Sequence, residues 1–217
     1  MADAARSALV VYVVDDDASI RDSLALMLGL AGYSTRLFAD AESLLVAFER
    51  DWTGCVIADL RLPGMSGIEL QAQLRNRGSA IPFIVITAHG DVPAARAAFR
   101  AQAIDFIEKP FDDWQLQNAI ERAFDVERKR IEGIEATRRD AEKLARLTAR
   151  EREILDQAAR GLHAKEIAAA LGISPRTVEV HKTRIMQKLE VRNIAELVRF
   201  AVITEAPRRG PTGEAAD

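Results

Sequence analysis

Val10-Val11-Tyr12-Val13-Val14-Asp15-Asp16-Asp17 is the first apolar run of the chain, and it closes on three acids. Four of its five apolar residues are β-branched and none is Gly or Pro, the composition of a strand, while the acids mark its end. Working outward, four further runs read as strands: Ser34–Phe38, Cys55–Asp59, Phe83–Thr87 and Ala103–Ile107. Between them lie segments of helical spacing near 18–31, 41–50, 66–77 and 91–101, and a fifth helix starts near Asp112. Strands alternating with helices predict an α/β fold with a five-stranded, doubly wound parallel sheet, whose ligand site lies beyond the carboxyl ends of the strands.

Those ends carry the chemistry. Asp15, Asp16 and Asp17 follow the first strand, Asp59 ends the third, Thr87 ends the fourth, and Lys109 follows the fifth in Lys109-Pro110. Carboxylates brought together raise one another's pKa and strain the fold unless a cation joins them. Mg²⁺ suits this set, since it takes a few carboxylates, a carbonyl and waters, and shares its last position with a phosphoryl oxygen. An Asp nucleophile, a metal that screens the incoming anion, the Lys109 cation and the Thr87 hydroxyl are the parts that phosphoryl transfer to a carboxylate requires.

The remainder of the chain has a different character. Of its 217 residues, 48% are apolar and 29% charged, which excludes a wholly disordered, collagenous or low-complexity polymer. The net charge of −3 is a cancellation. Residues 1–125 hold 18 acids and 11 bases, whereas residues 126–217 hold 15 acids and 19 bases, so a basic half suited to a polyanion follows an acidic one. The single cysteine, Cys55, sits in an apolar run and fits a reducing compartment. Neither a run of about 18 apolar residues nor a secretion signal is found, so a cytoplasmic protein without a membrane partner is expected.

Residues 112–147 contain one Gly and no Pro, and read as one long helix leaving the first domain. Ile120, Phe124, Ile131, Ile134, Ala141, Leu144 and Leu147 recur along it at three- and four-residue spacings. Such a stripe could pair with a second copy in a coiled coil, although Glu127 and Arg138 interrupt it. Thr148-Ala149-Arg150-Glu151 then forms a capping box, and helices follow at about 149–160, 163–171, 175–189 and 193–203. The segment Ala168-Ala169-Ala170-Leu171-Gly172-Ile173-Ser174-Pro175 is a helix-turn-helix corner: Gly172 turns, Ser174 caps, and Pro175 takes the first helical position. Arg176, Lys182, Arg184 and Lys188 surround a core stripe of Val178, Ile185 and Leu189, a density of cations that fits phosphates flanking a major groove. The expected domains are 1–125, a helical linker at 126–144 continuing the fifth helix, an all-α four-helix domain at 145–205, and a disordered tail at 206–217.

Val14-Asp15-Asp16-Asp17, Ala58-Asp59-Leu60-Arg61-Leu62-Pro63-Gly64-Met65-Ser66-Gly67, Val85-Ile86-Thr87-Ala88 and Phe106-Ile107-Glu108-Lys109-Pro110-Phe111 resemble, in order and spacing, the motif set of two-component receiver domains, which have a flavodoxin-like sheet. The resemblance spans roughly residues 8–125. It implies that Asp59 is the phospho-acceptor, that Asp15, Asp16, Asp59 and the Arg61 carbonyl hold Mg²⁺ or Mn²⁺, and that Thr87 and Lys109 grip the phosphoryl group. It further implies that Phe106 is an aromatic switch, that Lys109-Pro110 is cis, and that Arg61 and His89 tune attack by water.

Leu147-Thr148-Ala149-Arg150-Glu151-Arg152-Glu153-Ile154-Leu155, Ala159-Arg160-Gly161, the helix-turn-helix corner and Ile185-Met186-Gln187-Lys188-Leu189 are similar to LuxR-type DNA-binding domains. Together the two halves resemble FixJ-type regulators, although the long helix departs from that family's shorter linker. By this resemblance Glu179, Val180 and Thr183 face base edges while Arg176, Lys182, Arg184 and Lys188 meet phosphates, His181 serves phosphate or packing, and Leu197, Val198 and Ala201 of the last helix offer a dimer surface. The expected partners are a sensor histidine kinase, double-stranded promoter DNA, RNA polymerase and a second copy on activation. An aspartyl-phosphate phosphatase and a phospho-switched protein-binding scaffold are the competing readings, the former lacking a second Asp two residues after Asp59, where Arg61 stands.

Overall fold

The computed structural model describes residues 9–88, 92–193, 196–198 and 200. The chain falls into two compact units, residues 1–132 and 133–217, dividing inside the expected linker.

In the first unit, strands β1 (Val10–Val14), β2 (Ser34–Phe38), β3 (Gly54–Asp59), β4 (Phe83–Thr87) and β5 (Asp105–Glu108) pair only in parallel, in the order β2-β1-β3-β4-β5. Helices α1 (Ala18–Leu30), α2 (Ala41–Ala47), α3 (Gly67–Asn76) and α4 (Val92–Arg100) connect them, and α5 runs from Asp113 to Ala145. This is the expected doubly wound sheet, with its reversal of strand order between β1 and β3. The fifth strand starts two residues later than the sequence pattern suggests. Ala103 and Ile104 instead close the turn after α4, where Gln102 takes a left-handed φ of 64° and Ala103 N–H donates to the Ala98 carbonyl.

Every residue of β3 and β4 is buried, as strands covered on both faces must be, whereas the edge strands β2 and β5 both reach solvent. Successive side chains serve opposite layers. Val11, Val13, Cys55, Ile57, Ile84 and Ile86 pack against α1 and α5, while Tyr12, Val14, Val56, Ala58, Phe83 and Val85 pack against α2, α3 and α4. Tyr12 lies flat on Trp52, with ring centroids 4.0 Å apart. Cys55 is fully enclosed in β3, and burial pushes its thiol pKa far above the ordinary value.

The second unit contains the end of α5, then α6 (Ala149–Ala159), α7 (Ala164–Leu171) and α8 (Pro175–Leu189). Thr148 and Glu151 form the expected capping box at the start of α6. Leu144, Leu147, Ile154, Leu155, Ile167, Val178, Ile185, Leu189, Leu197 and Phe200 make its core. The apolar stripe along α5 therefore divides, and a pairing with a second copy would concern only its middle. Ile120 and Phe124 are consumed by the core of the first unit and Leu144 and Leu147 by that of the second, and of the original stripe only Ile134 and Ala141 are exposed. Glu127, read as an interruption, is itself fully buried. The tail at 206–217, His89 and Ala201 lie outside the described residues.

Candidate functional site

Two strand ends and two residues just past strands converge at the carboxyl edge of the sheet because a parallel sheet points every strand the same way. Asp15 follows β1, Asp59 ends β3, Thr87 ends β4, and Lys109 follows β5. Asp15 is 1% exposed, Asp59 8% and Thr87 0%, so these groups have left bulk water although all are polar. The Lys109 ammonium resolves the electrostatic conflict: its Nζ lies 2.6 Å from Asp15 Oδ2 and 2.6 Å from Asp59 Oδ2. Burial pulls the Lys109 pKa down, but the hydrogen bonds to Asp15 and Asp59 outweigh it and hold the pKa above the ordinary lysine value. The cation that the two carboxylates require is therefore supplied in part by the protein itself.

Backbone groups fix each carboxylate. Asp17 N–H donates to Asp15 Oδ1 at 3.0 Å, and Arg61 N–H donates to Asp59 Oδ1 at 2.8 Å. Lys109 N–H donates to the Thr87 carbonyl at 2.7 Å, which ties the cation to the end of β4, and the Lys109–Pro110 peptide is cis. Gly67 opens α3 directly behind the site, where a Cβ would lie 2.4 Å from the Asp59 carbonyl oxygen. Asp17 caps α1 instead of joining the cluster, accepting from Ser19 N–H at 2.8 Å and the Ser19 hydroxyl at 2.7 Å. Phe106 is half-buried in β5 opposite Val85, packed on the α2–α4 side of the sheet.

The donor set fits a hard divalent cation in chemistry, with two recessed carboxylates, the exposed Asp16 carboxylate and a backbone carbonyl at Arg61. Among the described residues, however, no three acidic, His or Cys side chains are gathered closely enough to enclose an ion. The structure thus brings together Asp15, Asp59, Lys109 and Thr87 and leaves Asp16 at the solvent edge.

In the second unit, Gly172 ends α7 in the left-handed conformation (φ 64°), and Ser174 Oγ caps α8 by accepting from Thr177 N–H at 3.1 Å. Val178, Ile185 and Leu189 face the core, so Arg176, Glu179, Val180, Thr183 and Arg184 are exposed on the opposite side. Lys182 lies 3.3 Å from Glu179. His181 is half-buried with its Nδ1 enclosed and unpartnered, which places it nearer packing than phosphate contact. Lys188 differs from the other cations, because its Nζ reaches Glu151 Oε2 at 2.6 Å and Glu151 is 3% exposed. Burial pushes the Glu151 pKa up, yet its bonds to Lys188 and Thr148 win and depress it. The sequence reading missed this pairing, since the two residues are 37 positions apart. It also missed buried Glu127, although its spacing from Phe124, Ala123 and Ile120 on the inner face of α5 carried the signal.

Residues 11–121 match the response regulator receiver domain family, and residues 145–201 match the luxR family of bacterial regulatory proteins. The chain belongs to the LuxR-type response regulators. Among its relatives in this family, the transcriptional regulatory protein FixJ of Bradyrhizobium diazoefficiens is 40% identical, aligned over 88% of this chain and 94% of its own length. FixJ of Rhizobium meliloti is 43% identical with the same coverage. Among solved structures, the response regulator StyR superposes with a TM-score of 0.78 at 41% identity, over 90% of this chain and 99% of that one. Full-length FixJ from B. japonicum gives a TM-score of 0.56 at 38% identity, over 92% and 98%. A response regulator of this architecture is a two-component transcription factor with a receiver and a DNA-binding domain, not a conventional enzyme. No described helix is long and apolar enough to cross a membrane.

Proposed function

We propose that this chain works in the cytoplasm, where Asp59 accepts a phosphoryl group from a sensor histidine kinase, and that this switches binding of promoter DNA by α8. The observation carrying this reading is Lys109 Nζ bridging Asp15 and Asp59 at 2.6 Å in a chain that also bears a helix-turn-helix. An Asp59 carboxylate oxygen attacks phosphorus as the bond from phosphorus to the donor nitrogen breaks. No proton must leave the nucleophile, and the arriving phosphoryl oxygens take over the Lys109 ammonium. Asp15, Asp16, Asp59 and the Arg61 carbonyl would hold Mg²⁺ or Mn²⁺, which would supply charge screening for the phosphoryl oxygens. Thr87 then turns its hydroxyl towards the new anion, Phe106 repacks into the space it leaves, and the receiver face changes.

The output is binding of a second copy and of a duplex. Arg176, Lys182 and Arg184 neutralise phosphates, Lys188 being engaged by Glu151, while Glu179, Val180 and Thr183 meet base edges. Leu197 is buried in the unit's own core, so in this reading the contact between copies falls to Val198 and Ala201, with RNA polymerase as a further partner downstream. Acetyl phosphate with Mg²⁺ tests the first step: one hydroxylamine-labile label per chain is expected, lost in Asp59→Asn. Labelling that persists in that variant overturns the assignment. Binding of the phosphorylated chain to a randomised duplex pool tests the second, with the logarithm of affinity falling linearly in the logarithm of salt concentration.

A further inference from the structure

The inner face of α5 is apolar for three turns: Leu116, Ala119, Ile120, Ala123 and Phe124 are all fully buried. One turn further, where the same spacing calls for another apolar side chain, stands Glu127, also fully buried. An enclosed carboxylate is costly unless its oxygens are partnered. Arg130 grips it twice, Nε to Oε2 at 2.7 Å and a terminal nitrogen to Oε1 at 2.6 Å, and Gly54 N–H donates to Oε1 at 3.4 Å. Gly54 is the first residue of β3, the strand that ends at Asp59. Only glycine fits there, because φ is +130° and a Cβ would stand 1.9 Å from the Val10 carbonyl oxygen.

An apolar pair of similar volume generally serves stability as well as a buried ion pair does. What the ion pair adds is direction. An apolar face tolerates a small slide or roll of the helix, whereas a carboxylate held by a guanidinium fork and a strand N–H is satisfied in one setting. The residue chosen for this contact lies on the helix that continues to Ala145, beyond the first unit's last residue at 132. We propose that Glu127 and Arg130 form a positioning latch that makes the setting of α5 follow β3, so that the phosphoryl state of Asp59 is felt beyond residue 132. The latch rests on the reading of Asp59 as the phospho-acceptor.

The test uses the full chain and a duplex selected from a random pool by the phosphorylated unsubstituted protein. Glu127→Gln and the double variant Glu127→Leu/Arg130→Met are compared with it for labelling by acetyl phosphate, for tryptophan fluorescence in urea, and for DNA affinity before and after phosphorylation. Both variants are expected to label fully, while the gain in affinity on phosphorylation falls by about 2- to 30-fold, the range of mutational effects on coupling. Undiminished gain in folded, fully labelled variants overturns the latch and leaves Glu127 a packing residue. Arg130→Lys, altered at a side chain on the solvent edge, covers the case in which substitution of Glu127 unfolds the unit: it keeps the charge, loses the fork, and is expected to lose part of the gain, so full gain there is equally fatal. If the unsubstituted chain gains no affinity on phosphorylation, the reading of Asp59 as a switch falls, and the latch with it.

Discussion

Lys188→Met separates two roles for one cation. From sequence Lys188 is a phosphate contact, whereas the structure commits its ammonium to Glu151 at 2.6 Å. The substitution keeps the apolar stem but leaves a carboxylate that is 3% exposed without its charged partner, held by Thr148 through its side chain and its N–H at 2.8 Å. Removing one partner of a fully buried pair costs about 3–5 kcal/mol, but the Lys188 side chain is 36% exposed and water screens the interaction, so about 1–2 kcal/mol is expected. For a unit of this size that lowers its melting temperature by roughly 4–16 °C. Both tryptophans, Trp52 and Trp114, lie in the first unit, so their fluorescence follows that unit while far-ultraviolet circular dichroism follows the helices of both. The expected result is an early loss of helical signal with an unmoved fluorescence transition, and a salt dependence of DNA binding close to that of the unsubstituted chain. Unchanged helix melting together with a salt slope reduced by about one would refute the reasoning and return Lys188 to the phosphates.

Glu151 adds a pH dependence of fixed sign. Its folded pKa is depressed, so its contribution is fully present above the unfolded carboxylate value of about 4.3 and is lost as pH falls through the lower folded value; acid titration of helical signal should show the second unit weakening in that window, and Glu151→Gln should flatten it. Lys109→Gln leaves Asp15 and Asp59 facing each other without their shared cation and should slow labelling by acetyl phosphate by at least about tenfold, roughly 1.4 kcal/mol of transition-state stabilisation. Gly54→Ala forces a Cβ to 1.9 Å from a backbone oxygen at a φ of +130° and should cost at least about 3 kcal/mol in urea titrations followed by tryptophan fluorescence. Arg176→Ala and Arg184→Ala should each reduce the salt slope of DNA binding by about one and weaken all sequences alike, whereas Glu179→Ala should change which duplexes a random pool yields.

What the sequence disclosed was whatever repeats locally. Five apolar runs, the acids that close two of them and the caps at Thr148 and Ser174 each declare themselves within a few residues, so the sheet and those helix starts were legible. The Asp15, Asp59, Thr87 and Lys109 set was legible too, because a parallel sheet converts strand-end positions into proximity without detailed geometry. Long-range polar pairing was not. Nothing local says that Lys109 spans Asp15 and Asp59 or that Lys188 reaches Glu151, since such pairs depend on which side chain happens to arrive opposite. The long helix itself was legible, but what covers its apolar stripe was not, for the same reason. A stripe of apolar residues at helical spacing shows that a face is buried but not by what, and here its two ends are used by two separate cores.

Cys55 gives this chain a built-in reporter. It is the single thiol, enclosed in the middle of the sheet and held protonated by burial, on the strand that ends at Asp59. Alkylating reagents can reach it only when the helices covering β3 lift or the strand itself opens, so its modification rate clocks opening of the first unit's core with no engineered label. A cysteine introduced anywhere on the surface would react long before it, which makes the natural chain a ready background for attaching probes one at a time.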